Sequence, residues 1–203
     1  MTTAAGGDHR GQPRRRGEVL YAAIFEATLA ELAEVGYSQL AMERIAARAR
    51  ASKMSLYKRW PNRAELVVAA LQHQAAEPET APDTGNLRDD VLTLLRRAAA
   101  RLDGIFGEVV RGLMAETLTN PDRTADLRAN MFTARDRLMR EILDRAAARG
   151  DIPPAVITPQ LVGLAPALVD HHFLIHGAPI PDDLLTGIVD NVLLPLLTTA
   201  AIG

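Results

Sequence analysis

The sequence contains no cysteine among its 203 residues. That absence excludes disulfides, thiolate nucleophiles and Cys-ligated zinc, and it fits a reducing, cytoplasmic setting. No uninterrupted apolar run approaches the roughly 18 residues of a membrane span, so none is expected. The opening MTTAAGGDHRGQPRRRG has no apolar h-region, which excludes a secretory signal. Glycine-rich phosphate loops, nucleophile elbows and His-Glu-x-x-His helices are missing too, so an enzyme has no motif to stand on. No cofactor or metal is expected.

What is present begins with a hydrophobic content of 48%, enough for a substantial core in one domain or two small ones. Charge is unevenly spread. Residues 1–66 carry 11 Lys and Arg against 7 Asp and Glu, a balance of +4; the remaining 137 carry 12 against 18, or −6. A basic N-terminal third joined to an acidic remainder points to a polyanion met by the first part alone.

Local signals concentrate between Gly36 and Leu66, in GYSQLAMERIAARARASKMSLYKRWPNRAEL. Met42, Ile45, Ala46 and Ala49 lie at helical spacing and predict a short amphipathic helix. Arg50-Ala51 leaves room only for a tight turn. Ser52 then caps a second short helix to about Arg59, with Met54 turned inward and Lys53, Ser55, Lys58 and Arg59 outside. Asn62 and Glu65 form a reciprocal capping pair opening a third helix, which runs to about Ala76. Two short helices about a tight turn, the second one basic, are the parts of a helix-turn-helix reader of DNA. Upstream, Leu20, Tyr21, Ile24, Phe25, Leu29 and Leu32 give the stretch from Glu18 to Val35 an apolar face, and Gly36 ends that supporting helix. Ahead of it the Gly- and Pro-rich start reads as a disordered tail, with Arg14-Arg15-Arg16 as a basic arm or a solvated segment.

Gly36-Tyr37, Ile45-Ala46, Ala49, Ser52, Ser55-Leu56-Tyr57, Trp60-Pro61, Arg63 and Glu65-Leu66 follow an order and spacing. Together they closely resemble the N-terminal domain of TetR-type transcriptional repressors, over roughly residues 14–71. The resemblance implies about nine helices: a disordered tail over 1–13, a three-helix DNA-binding domain over 14–76, and a regulatory domain over 86–203 that binds an effector and dimerises. It implies a homodimer on a palindromic double-stranded DNA operator, released by a small-molecule effector. Lys53 and Ser55 are then expected at base edges, with Tyr57, Lys58 and Arg63 at phosphates, Arg44 and Arg48 adding positive charge, and Ser52 starting the reading helix. Two departures bear on the turn. Ala41 stands where the family has a capping Thr, a loss of ~1 kcal/mol that Ser38 could offset by capping a longer helix. Arg50 stands where the turn usually has Gly, and a left-handed backbone there costs roughly 1–2 kcal/mol. These departures are the sole support for the alternative, a helical small-molecule-binding protein or enzyme on this scaffold without DNA binding.

Past the loop EPETAPDTG every local signal is helical. Leu87 to Ile105 and Gly107 to Leu118 read as two helices. Asn120-Pro121 opens a long helix that closes at Arg149-Gly150, and Thr158-Pro159 opens one that ends at Gly177. With no sustained period-2 alternation anywhere, the fold class is all-α. The last helix, about Pro181 to Thr198, is apolar on most faces and must be buried on most faces. Burial at the centre of one monomer would meet that demand; the preferred reading pairs it with Leu161–Phe173 across a two-fold, which places Leu161, Leu168, Leu184, Ile188, Val192 and Leu193 at a dimer interface. Phe106, Met114, Met131, Phe173 and His172 are the candidates for the effector cavity that the resemblance implies. His172 and His176 share a helical face, a spacing able to ligate a metal, but no third ligand joins them. Asp89-Asp90 and Asp182-Asp183 sit at helix starts, where carboxylates complement the dipole.

Overall fold

The computed structural model describes residues 12–74, 79–119 and 121–199, with side chains over 17–74, 79–118 and 133–198. Residues 1–11 of the expected tail, Asn120, and the side chains of Arg14–Arg16 and Met131 therefore lie outside the described residues. Among the described residues every regular element is helical. They are α1 (Gln12–Gln39), α2 (Met42–Arg48), α3 (Lys53–Tyr57), α4 (Arg63–Gln74), α5 (Leu87–Leu102), α6 (Ile105–Thr119), α7 (Pro121–Arg149) and α8 (Pro159–His176). A last rod joins α9 (Asp182–Ile188), a π turn (Val189–Leu193) and α10 (Leu194–Thr199). Two compact units divide between residues 76 and 77.

In the first unit α1 packs against α2 and α4. It starts at Gln12, not at Glu18, and so takes in the end of the expected tail. Pro13 is pre-organised for a first helical turn and nothing in Arg14–Arg16 breaks the helix. Gly36 interrupts α1 with φ 71 and ψ 169, leaving only a short turn before Gln39. Ile24, Leu32, Ile45, Leu56, Leu66 and Val67 form a dry centre. Trp60 closes its rim edge-on to Tyr21 and Phe25, each ring centroid 5.5 Å away.

The second unit gathers α5, α7, α8 and the last rod around Val91, Leu95, Met139, Ile142, Val169, Phe173, Val189 and Leu193, all essentially inaccessible. Asn86 caps α5 by accepting the Asp89 N–H at 3.2 Å. Thr158 caps α8 through the Leu161 N–H at 3.3 Å. Ile105 opens α6 and does not close α5, because the chain turns sharply at Asp103-Gly104. Gly107 permits that corner, since a Cβ there would collide with the Leu102 carbonyl oxygen. Pro195 follows the π turn, in which the Leu194 N–H reaches back to Val189 O. The wider turn relieves the proline's conflict with the preceding helical carbonyl.

Burial corrects part of the expected dimer face. Leu193 is 0% and Ile188 5% exposed within one chain, because α5 and α8 already cover that side of the rod. Neither is available to a partner. Leu161, Leu168, Leu184 and Val192 remain half-buried. Ion pairs hold the rod as well: Arg88 grips Asp190 with two bonds of 2.6 and 2.8 Å, and Arg96 grips Asp182 at 2.6 and 2.7 Å. Hydrogen bonds from these guanidiniums pull both carboxyls below the ordinary Asp pKa. Asp182 thus serves a side-chain partner, not the helix dipole alone. Asp90 is likewise more than a dipole partner, being fully buried and accepting the Thr84 N–H at 2.6 Å.

Candidate nucleic-acid interface

The turn between α2 and α3 is a closed hydrogen-bonded motif. Arg50 N–H donates to Ala47 O at 3.2 Å and Ala51 N–H to Ala46 O at 2.9 Å, the two bonds of a Schellman C-cap. Arg50 occupies its left-handed position with φ 51. Gly150 fills the equivalent place after α7, with φ 84 and matching bonds of 3.0 and 2.9 Å. The turn therefore keeps its geometry and Arg50 bears the strain. At the other end of α2, Ala41 is extended and supplies no side-chain cap. Ser38 does not replace it, because α2 begins only at Met42.

Ser52 starts α3 by accepting the Ser55 N–H at 3.1 Å. That cap fixes the helix phase, and the phase puts Leu56 inside at 0% exposure and Met54 outside at 82%. The inward placement expected for Met54 is thus reversed: five residues leave room for one anchor, and Leu56 takes it. Lys53 is well exposed, with its Nζ 3.9 Å from a Glu43 carboxylate oxygen. The Tyr57 hydroxyl donates to the same oxygen at 3.3 Å. Desolvation and the neighbouring Glu43 charge hold that phenol above its ordinary pKa, so it stays a donor. Lys58 is exposed. The Ser55 hydroxyl accepts from Arg59 at 2.6 Å, and Arg59 also donates to the Tyr21 hydroxyl at 2.9 Å.

The other expected DNA cations are held within the unit. Arg44 and Arg48 converge on Glu31, a carboxylate only 5% exposed on α1; Arg48 lies 3.2 Å from it and also pairs with Glu34. Arg63 donates to the carbonyls of Ser38 and Leu40 at 3.1 and 3.2 Å and lies over the Tyr37 ring at 4.8 Å. It fastens α4 to the end of α1. Asn62 and Glu65 do cap each other, with two bonds of 2.9 Å, although Asn62 donates through its side-chain amide and not its backbone. Sequence reasoning missed Glu31 and Glu43. Glu31 carried a signal, because it stands beside Leu32 and one turn after Ala27 and Thr28, on the face that is buried. Nothing in the sequence distinguished Glu43 from any solvated carboxylate.

Residues 24–70 match the family profile described as "Bacterial regulatory proteins, tetR family", and residues 81–192 match "Tetracyclin repressor-like, C-terminal domain". The chain belongs to the TetR family. It is 37% identical over 175 residues to the uncharacterized HTH-type transcriptional regulator Rv1556 of Mycobacterium tuberculosis, covering 86% of each chain. Identity is 34% over 194 residues with a protein of Mycobacteroides abscessus named DNA-binding transcriptional repressor TetR, covering 92% of this chain and 98% of that one. The crystal structure of the TetR family transcription regulator SCO0332 superposes with a TM-score of 0.70 at 32% identity, covering 88% of this chain and 96% of that one. As a TetR-family transcriptional regulator the protein binds DNA, and α2–turn–α3 is its helix-turn-helix. With the turn intact, the departures at Ala41 and Arg50 give no support to a scaffold that has lost DNA binding. Among the described residues no helix is long and apolar enough to cross a membrane.

In the body of this TetR-family protein, a cavity of about 20 Å³ opens among α5, α7 and α8, with Leu94, Leu138 and Val169 on its apolar side and Arg101, Arg135 and Asp170 on its polar side. A shallower cleft of about 220 Å³ lies by Arg96, Pro179 and Asp182. Phe106, Met114, His172 and Phe173 line neither. Phe173 is core, with Arg111 stacked on its ring at 4.9 Å, and Phe106 stands behind Arg101 at 5.9 Å. Met114 is half-buried. The His172 and His176 ring centroids lie 4.7 Å apart with the planes tilted by 40°, and among the described residues no three metal-ligating side chains cluster.

Proposed function

We propose that this TetR-family regulator is a homodimeric repressor that reads a palindromic operator and leaves it when a small molecule enters the second unit. Its relative from Mycobacteroides abscessus, similar over nearly its whole length, carries the name of a repressor. In this reading Lys53 and Ser55 face base edges, Ser52 starts the reading helix, and Tyr57 and Lys58 meet phosphates. Arg44, Arg48 and Arg63 contribute chiefly by holding the motif in shape. Such a regulator of transcription works in the cytoplasm. A two-fold dimer supplies the second reading helix that a palindrome needs. The face offered for it is the stripe Leu161, Leu164, Leu168 and Ile175 on α8, with Val192 and Leu196 on the rod; Ile175 is 65% and Leu196 45% exposed.

The observation that carries effector release is the double engagement of Arg101. Arg101 lines the small cavity, and its guanidinium pairs with Glu79, at the start of the second unit. A ligand that widens the cavity displaces Arg101 and frees the segment leading back to the DNA-binding unit, a local change read by a distant element. The test is release of a labelled operator by members of a small-molecule library. Any ligand that releases DNA must itself bind operator-saturated protein more weakly, by the same factor, typically 5–150-fold. Equal ligand affinity with and without operator refutes release, and a monomer in sedimentation at micromolar concentration refutes the dimer.

A further inference from the structure

Met54 is the second residue of α3 and the most solvent-exposed large side chain on it. Its place is fixed from both sides. The Ser52 cap sets where the helix begins, and fully buried Leu56 anchors its inner face. Two residues of α-helix turn through about 200°, so Met54 stands nearly opposite Leu56. Tyr57, 44% exposed, follows three residues later on the same face as Met54. The two make an apolar strip between the charges of Lys53 and Lys58. In a helix-turn-helix the N-terminal residues of the second helix meet base edges. Thymine alone presents a methyl group in the major groove, and apolar side chains recognise it. A thioether on a flexible, unbranched stem adapts readily to such a contact.

We propose that Met54 reads the 5-methyl group of a thymine in each operator half-site, and so sets specificity beside the polar contacts of Lys53 and Ser55. The assignment rests on the DNA-binding function and adds to it the identity of one recognised group. Duplexes are enriched from a random pool by the full-length protein and remade with each thymine in turn replaced by uracil. That change deletes the methyl and leaves every hydrogen-bonding group in place. One thymine per half-site is expected to be sensitive, weakening wild-type binding about fourfold, equivalent to ~0.8 kcal/mol per methyl-sized group. Replacing it in both half-sites costs about fifteenfold. Met54→Ala binds the thymine duplex as weakly as wild type binds the uracil duplex, and is indifferent to the swap. Its fold is checked by the Trp60 fluorescence melt, which an exposed side chain does not move. Indifference of the wild type to uracil at every thymine overturns the proposal, as does an unchanged thymine-to-uracil ratio in Met54→Ala. Failure to enrich any duplex removes DNA reading itself, and Met54's part in it.

Discussion

Replacing Arg50 by glycine tests whether the helix-turn-helix carries stored backbone strain. Arg50 is exposed and sits at φ 51, where a Cβ crowds the following carbonyl at roughly 1–2 kcal/mol. Glycine removes that cost but raises the entropy of the unfolded chain, offsetting about 0.4–1 kcal/mol. The net expectation for Arg50→Gly is a gain of about 0.5–1 kcal/mol. Arg50→Ala is the control: it deletes the same charge and the same exposed side chain but keeps the Cβ, so it stays near wild type. The protein's single tryptophan, Trp60, is buried in this unit and reports its unfolding in the full chain. For a domain of this size 1 kcal/mol moves the midpoint by roughly 4–8 °C, so the expected rise is about 2–8 °C. Gly150 provides the mirror experiment in the body, where Gly150→Ala should introduce the strain that Arg50→Gly removes. Equal melting of wild type, Arg50→Gly and Arg50→Ala would refute the strain argument.

Ala41→Thr adds the missing side-chain cap to α2 and is expected to stabilise the same Trp60 transition by about 0.5–2 kcal/mol, and an unchanged melt would refute the cap. Leu193→Glu buries a carboxylate in the core and should collapse the helical CD of the body, whereas Leu168→Glu, at a half-buried position, should keep that helical CD and abolish the dimer in sedimentation. The depressed pKa values of Asp182 and Asp190 mean that their pairing stabilises the fold above the ordinary carboxylate pKa and is lost as pH falls through the lower folded values. In urea titrations the gap between wild type and the Arg88→Gln/Arg96→Gln double variant should be full at about pH 6 and close below about pH 4; a gap independent of pH would contradict the pairing.

Helix boundaries were legible wherever a side chain punctuates the backbone. Ser52, Asn62 and Thr158 all cap where their types predict, and Gly150 and Gly177 close α7 and α8. Orientation was harder. Met54 and Leu56 are both apolar in a five-residue helix, and hydrophobicity alone cannot say which one faces in. The end of the chain misled for a related reason. A helix apolar on most faces can be buried by its own chain or by a partner, and the composition of the rod is the same in both cases. Charge was hardest, because a basic residue reads alike whether it meets a phosphate or an internal carboxylate.

The internal carboxylates sort the motif's cations by how easily each can turn to DNA. Lys53 and Glu43 are both substantially exposed and 3.9 Å apart, a surface pair worth about 0–1 kcal/mol. An incoming phosphate or base edge can therefore displace Glu43 at small cost, and until then Glu43 holds Lys53 and Tyr57 on the reading side. Arg44 and Arg48 are bound differently, since both answer to Glu31, which is almost fully buried beneath them. Turning either away leaves that buried carboxylate with one arginine in place of two, a larger loss than releasing the exposed Lys53–Glu43 pair, because a desolvated charge depends on its partners. In the proposed reading the two arginines therefore stay on Glu31, bracing α2 against α1, and recognition of the duplex falls to the exposed side chains of α3.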